Sequence, residues 1–277
     1  MTTHILRVDC PDQSGLIHRV TGVLLGHGLN IIANSEFVDQ ETRRFFMRTA
    51  FSGEVDEVRV MEDLRQALPE SAALRLKRTG NRDIVVLVTH EPHCPGELFI
   101  RFAFDELGAN IRAVIGNHGT LEPLARQFGI PFHLVSHEGR TRPEHEAELS
   151  AVLDGYEPEY IVLAKYMRIL SPDFVARYPE RIINIHHSFL PAFIGANPYR
   201  QAFERGVKMI GATAHFVTDY LDEGPIIAQG IVPVDHTHSA AEMAHAGRDV
   251  EKIVLAKALR LVFDERVFLT GCRSVIL

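Results

Sequence analysis

Cysteine is scarce in this sequence. Cys10, Cys94 and Cys272 are far apart and odd in number, and no Cys-x-x-Cys pair occurs. That pattern suggests neither a disulfide framework nor a thiolate zinc site. Long apolar runs are also missing. No run approaches the roughly 20 residues of a membrane helix. The first residues carry charge at Arg7 and Asp9 where a signal peptide would have its apolar core. The expectation is a chain in the reducing cytoplasm with no membrane partner. Basic excess is absent too. The 36 acids against 29 bases give a net charge of −7, which opposes nonspecific binding to nucleic acid. What remains abundant is apolar surface. At 46% of 277 residues, it is enough for packed cores in two modest domains or one large one.

Residues 1–80 read as one domain. A strand over 4–8 leads to a helix carrying Leu16, Ile17, Val20, Val23 and Leu24 at helical spacing, with Ser14 as the expected cap. Gly26 and Gly28 end it. Ile31–Val38 and Arg43–Phe51 read as a hairpin around Asp39-Gln40-Glu41. A second helix through Val55, Val58, Met61, Leu64 and Leu68 stops at Pro69, and Leu74–Arg78 closes the unit. The order βαββαβ is the ferredoxin-like arrangement.

Thr79-Gly80-Asn81-Arg82 is a polar joint, and residues 81–277 read as the second domain. Strands are expected at 83–89, 111–115, 132–135, 160–163, 182–185 and 209–217. Helices fall near 98–107, 121–128, 144–153 and 172–178, with a long one over about 240–262. This alternation predicts an α/β fold with a doubly wound, mostly parallel sheet. The first of these strands ends in His90-Glu91-Pro92-His93-Cys94-Pro95-Gly96. A phosphate loop needs backbone amides opened by several glycines, and this segment has a single one.

The densest chemistry lies between Arg181 and Gly230. Ile182 and Ile183 lead into Asn184-Ile-His186-His187-Ser188-Phe-Leu190-Pro191, after which Gly195 breaks regular structure. The strand period sets Asn184 and His186 on one side of the chain, at a strand end where open α/β sheets build sites. Asp222, in Leu221-Asp222-Glu223-Gly224-Pro225, is the carboxylate expected to join them, with Asp219 and Glu223 as rivals. An amide can donate to a developing oxyanion, and a carboxylate can hold an imidazole's tautomer. His215 reads as a buried partner of that site. His186, His187 and His215 invite a metal, but adjacent histidines on a strand point to opposite faces, so no metal is expected.

The string Asn-x-His-x-Ser-x-Leu-Pro followed by Asp-x-Gly resembles enzymes acting on 10-formyltetrahydrofolate. With its N-terminal segment, nearly the whole chain is similar to the formyltetrahydrofolate deformylase family. The resemblance implies hydrolysis of 10-formyltetrahydrofolate to formate and tetrahydrofolate, supplying formate to purine synthesis and balancing one-carbon pools. It implies Asn184, His186 and Asp222 as catalytic residues and no cofactor, and it leaves open which of His186 and Asp222 takes the water proton. Leu163-Ala-Lys-Tyr-Met167-Arg168-Ile169-Leu170 resembles the loop that wraps the pterin in folate formyl enzymes. It implies Met167, Arg168, Ile169, Leu170 and Gly224 as substrate-binding residues. Arg168 is either the partner of a folate carboxylate or a surface charge. Asn117-His118 resembles a family motif and reads equally as a polar strand end. Glycinamide ribonucleotide transformylases carry a Gly/Ser/Asn-rich loop where this chain has His90–Gly96, so the departure makes water the expected acceptor. The alternatives are a formyltransferase to an amine and a catalytically silent sensor.

Asp9-Cys-Pro-Asp12-Gln-Ser-Gly15-Leu16 with Gly28-Leu29-Asn30-Ile31 resembles the ACT regulatory domain. That resemblance implies an amino-acid effector, glycine or methionine, at Asp12, Gly15, Asn30 and Ile31. Gly15 and Gly28 read equally as turn and C-cap residues. It also implies a homo-oligomer, dimer or tetramer.

Overall fold

The computed structural model describes residues 2–193 and 197–277. The break expected at Gly195 lies outside the described residues. Two units are present.

The first contains β1 (Thr3–Pro11), α1 (Leu16–Gly26), β2 (Asn30–Asp39), β3 (Arg44–Ser52), α2 (Glu57–Ala67) and β4 (Ala73–Arg78). Its antiparallel sheet has the order β2-β3-β1-β4, which the βαββαβ reading requires. Leu16, Val20 and Leu24 of α1 and Val60 and Leu64 of α2 pack on Leu6, Val8 and Met47 of the sheet. Ser14 does not cap α1. Gly15 holds that position at φ 86°, with no side-chain cap, because the left-handed turn needs a residue without Cβ. Asp56 caps α2 through the Arg59 amide. Residues 264–268 and 275–277 group with this unit, a return that a single boundary after residue 80 does not describe. Its anchor is Glu265, whose buried carboxylate lies 3.1 Å from Arg7 and 3.7 Å from Lys77.

The second unit holds β5 (Arg82–Val88), α3 (His93–Ala103), β6 (Ala109–Gly116), α4 (Glu122–Gln127), β7 (Phe132–Leu134), α5 (Arg142–Tyr156), β8 (Tyr160–Leu163), α6 (Pro172–Ala176), β9 (Ile182–His186), α7 (Pro198–Arg205), β10 (Met209–Phe216), β11 (Ile226–Pro233) and α8 (Ala240–Phe263). The chain ends in a hairpin of β12 (Val267–Thr270) and β13 (Arg273–Ile276). The seven-stranded sheet runs β11-β10-β9-β8-β5-β6-β7. β9, β8, β5, β6 and β7 are parallel, and β10 runs antiparallel to both of its neighbours, β9 and β11. β5 and β8 are almost wholly buried, so β8 and the part of β5 after Asp83 are unbroken apolar runs. β11, α7 and the final hairpin lie beyond the sequence reading. Leu107 falls outside α3, which ends at Ala103.

Candidate active site

The antiparallel register of β9 and β10 sets Asn184 opposite His215 and His186 opposite Thr213. Asn184 Nδ2 lies 3.2 Å from His215 Nε2. His215 Nδ1 is 2.8 Å from the Phe216 carbonyl oxygen. A carbonyl only accepts, so Nδ1 carries the proton and Nε2 keeps its lone pair. The Asn184 amide therefore donates to the ring, and one hydrogen of its NH2 remains for a ligand. Burial lowers the His215 pKa against the pull of the Phe216 carbonyl, which keeps the ring neutral and able to accept.

Asp222 enters from the turn after β10, with φ at 58°. Its Oδ1 stands 3.3 Å from His186 Nδ1 and 3.7 Å from His215 Nε2. Burial alone would raise its pKa. The His186 hydrogen bond and the surrounding imidazoles outweigh burial and hold it below the ordinary aspartate value. With Nδ1 turned toward Asp222, His186 Nε2 is buried and meets no partner among the described residues. The rivals Asp219 and Glu223 are exposed.

Gly224 does not line the cleft, contrary to its expected part in substrate binding. A Cβ there would meet the Phe216 oxygen at 1.7 Å. This glycine lets the turn close on β10, which positions Asp222. Thr213 steadies the chain after β9. Its hydroxyl donates to Ser188 O at 2.9 Å and accepts from Leu190 N at 3.0 Å.

Asn184, His186, His215 and Asp222 open onto a cleft of about 770 Å³. One side is the loop after β8, where Met167 and Ile169 are more than half exposed and Leu170 is half-buried. Tyr220 and Leu221 expose apolar surface on the turn that carries Asp222, and both line the cleft. Exposed apolar groups around a concave polar site suit a flat aromatic ligand. The loop is fixed at both ends. The Met167 amide donates to Thr89 Oγ1 at 2.9 Å, and the Ser171 amide to Glu146 at 2.8 Å. Half-buried Arg168 belongs to the same lining.

Residues 82–259 match the formyl transferase family and residues 4–69 the ACT domain family. The formyltetrahydrofolate deformylase of Escherichia coli K12 is 57% identical over 99% of this chain and 98% of its own length. The chain belongs to the formyltetrahydrofolate deformylase family. A deformylase crystal structure from Pseudomonas syringae superposes with a TM-score of 0.95 at 37% identity, covering 100% of this chain and 95% of that one. Glycinamide ribonucleotide transformylase 1 of Symbiobacterium toebii, at 31% identity and a TM-score of 0.68, covers 71% of this chain and 94% of its own.

In this member of the deformylase family, the four residues expected to bind an effector do not form one site within the chain. Asp12 donates its amide to Arg43 O at 2.8 Å, at one end of β3, and Gly15 caps α1 just beyond. Asn30 pairs with Ser52 at the other end of β3, with Ile31 beside it. Eight strand steps separate the two ends, roughly 26 Å. The helix between β1 and β2 carries the chain back along the sheet, so its two flanking loops lie at opposite ends.

His187 also departs from the expectation of opposed histidines. Its ring stacks on His186 with centroids 5.1 Å apart, because β9 ends at His186 and strand alternation stops there. Burial, with Lys165 and His186 nearby, lowers its pKa to about 4.

A second polar cluster was not singled out from the sequence of this deformylase-family chain. Glu251 is fully buried. Its Oε2 lies 2.8 Å from His93 Nε2 and 3.0 Å from Lys165 Nζ, and its Oε1 accepts from the Tyr199 hydroxyl at 2.5 Å. Burial would raise the Glu251 pKa, but His93, Lys165 and Tyr199 bring it down to about 2. The signal was an acid on the buried stripe of a long helix, at Met243, Gly247, Glu251, Val254 and Leu255. His93, Cys94 and Glu251 place potential metal-ligand atoms within 4.8 Å of one another. The Lys165 ammonium already balances that carboxylate, and burial raises the Cys94 thiol pKa, so the donor set suits a cation poorly.

Proposed function

We propose that this chain hydrolyses 10-formyltetrahydrofolate to formate and tetrahydrofolate with Asn184, His186 and Asp222 as its catalytic residues. The observation that carries the assignment is their convergence on one cleft, with His186 Nε2 buried there and unpartnered. The pterin lies against Met167, Ile169 and Leu170, and Arg168 faces a carboxylate of the folate glutamate. Asp222 accepts from His186 Nδ1, which leaves the Nε2 lone pair to take a proton as water attacks the formyl carbon. The tetrahedral oxyanion accepts hydrogen bonds from the free Asn184 N–H and from the imidazolium. The imidazolium then gives its proton to N10, the C–N10 bond breaks, and formate leaves.

No resident cofactor enters this scheme. It works in the cytoplasm, supplying formate to purine synthesis and balancing one-carbon pools. The ACT unit takes glycine or methionine as effector. Asp12 and Gly15 serve as one contact surface, and Asn30 and Ile31 as another. The chain works as a homo-oligomer, dimer or tetramer. The edge strand β2, with Ile32 and Phe37 exposed, supports pairing of like sheets.

The test is a spectrophotometric assay with 10-formyltetrahydrofolate as sole substrate, with and without glycine and methionine. Formate should appear in step with tetrahydrofolate, with no amine present. Absence of formate overturns the reading. An unchanged rate with both amino acids removes them as effectors.

A further inference from the structure

The Glu251 cluster lines the same cleft as the catalytic residues, yet hydrolysis as set out above uses none of its four side chains. The chain makes room for it at a cost in backbone freedom. On α8, Gly247 lies one turn before Glu251, and a Cβ there would stand 2.1 Å from the Tyr199 hydroxyl. Lys165 takes φ 63°, a region that favours glycine, and its side chain is buried. A lysine that merely faced solvent would need neither feature. His187 joins the two clusters, with its ring 5.1 Å from His186 and 6.2 Å from Tyr199.

A buried carboxylate flanked by a phenol and an imidazole is a binding site for an ammonium ion. An amine able to accept a formyl group is such an ion near neutral pH. Here the ammonium on Glu251 belongs to the chain itself. We infer that Lys165 selects the acceptor. By filling the Glu251 carboxylate with an internal ammonium, it denies that anchor to an external amine and leaves water to reach the formyl carbon.

This specificity role rests on the hydrolase reading. With the lysine side chain removed, Glu251 would hold a small external amine in its place. The held ammonium gives one proton to solvent, its nitrogen attacks the formyl carbon, a second proton passes from that nitrogen to His186 and on to N10, and the C–N10 bond breaks. The products are an N-formyl amine and tetrahydrofolate, with no water consumed.

The experiment supplies the full chain with 10-formyltetrahydrofolate and ethylamine, and measures formate and N-ethylformamide by NMR. Wild type should give formate alone at every ethylamine concentration. Lys165→Gly, which suits the positive φ, should give N-ethylformamide at least tenfold above the wild-type background. Lys165→Asn also tolerates that backbone and should move the same way, which keeps the test open if the glycine variant does not fold. Lys165→Gly/Glu251→Gln should fall back toward wild type, because the carboxylate that holds the amine is gone. N-ethylformamide no higher in the Lys165 variants than in wild type overturns the inference, as does equal yield from the double variant. A wild type that releases no formate removes the hydrolase reading instead.

Discussion

The amide nitrogen of Asn184 stands 3.2 Å from Nε2 of His215, directly across the β9–β10 pair. The ring can accept because its other nitrogen is committed to the Phe216 carbonyl. Asn184→Ala should therefore lower kcat by roughly a hundredfold or more, the scale for losing an oxyanion donor. His215→Phe keeps the aromatic volume but frees the amide to turn. It should lower kcat by about tenfold with little change in KM. The two losses should not add in the double variant, since both act through one amide. Steady-state kinetics on the three variants check this.

Asp222 controls which nitrogen of His186 is free. With an amide there, the ring can take the other tautomer and lose its lone pair toward the cleft. Asp222→Asn should bind substrate with near-normal KM and turn over slower by on the order of 10²–10⁴, the range for a misoriented general base. Binding measured with tetrahydrofolate, alongside single-turnover formate release, separates the two effects. Near-normal turnover would remove Asp222 from the mechanism.

Apart from β11, α7 and the final hairpin, the order of elements was readable because each signal was local. Ile-Val-Val-Leu-Val in β5 and the heptad-like apolar spacing of α8 need no tertiary information. Asn184, His186 and Asp222 were readable because a strand period and a following turn determine their direction. The Glu251 cluster was not, because its partners lie on α3, α7 and the loop after β8, and no local spacing links residues 93, 165, 199 and 251. Lys165 carried no mark of its left-handed backbone, since lysine has no preference for it. The packing role of Gly224 was not legible for the converse reason. A glycine beside a catalytic acid reads the same whether it admits a substrate or a neighbouring carbonyl, and here the carbonyl of Phe216 takes the space. Asp12 and Asn30 could have been separated in advance, because a helix of 11 residues between two strands returns the chain to the opposite end of the sheet.

Two glycines should respond oppositely to one added methyl group. Gly224→Ala forces a Cβ against the Phe216 oxygen, where only backbone movement can relieve it. It should destabilise the protein by roughly 1–3 kcal/mol or more, and kcat should fall because Asp222 rides on that turn. Gly22 lies within α1, and a Cβ there meets nothing within 4 Å. Gly22→Ala should stabilise by about 0.5–1 kcal/mol and leave catalysis unchanged. Urea unfolding curves of the two variants compare them directly.

Arg168 shares the loop after β8 with Met167 and Ile169, and its positive charge helps lower the pKa of His137 and of His145, after burial in each case. If it meets the folate carboxylate, Arg168→Ala should raise KM about tenfold and leave kcat nearly intact, the signature of lost uniform binding. Arg168→Lys should recover part of the loss, since a lysine keeps the charge but not the two-pronged contact. The same variants assayed with a substrate analogue lacking the glutamate should all behave alike.

Glu251 sets an acid limit on stability. Its carboxyl falls from the usual 4.5 to about 2 in the folded chain, so the unfolded chain binds the proton first as pH drops. The stabilisation from this group is complete above about pH 4.5 and is lost as pH falls toward 2. At about 1.4 kcal/mol per unit the difference amounts to roughly 3 kcal/mol. Glu251→Gln cannot titrate, and it leaves Lys165 without its carboxylate, so it should be less stable than wild type at neutral pH. The gap should narrow steadily between pH 4.5 and 2. His187 acts in a different window. Its pKa drops from 6.5 to about 4 on folding, so stability is also lost as pH falls from 6.5 to 4, and the loss is larger in Glu251→Gln, where the carboxylate that raises the His187 pKa is gone. Urea unfolding at half-unit pH steps separates the two. A gap that stays constant from pH 5 down to 2 would mean that Glu251 carries no depressed ionisation, and that the Lys165 ammonium is not held by a carboxylate charge.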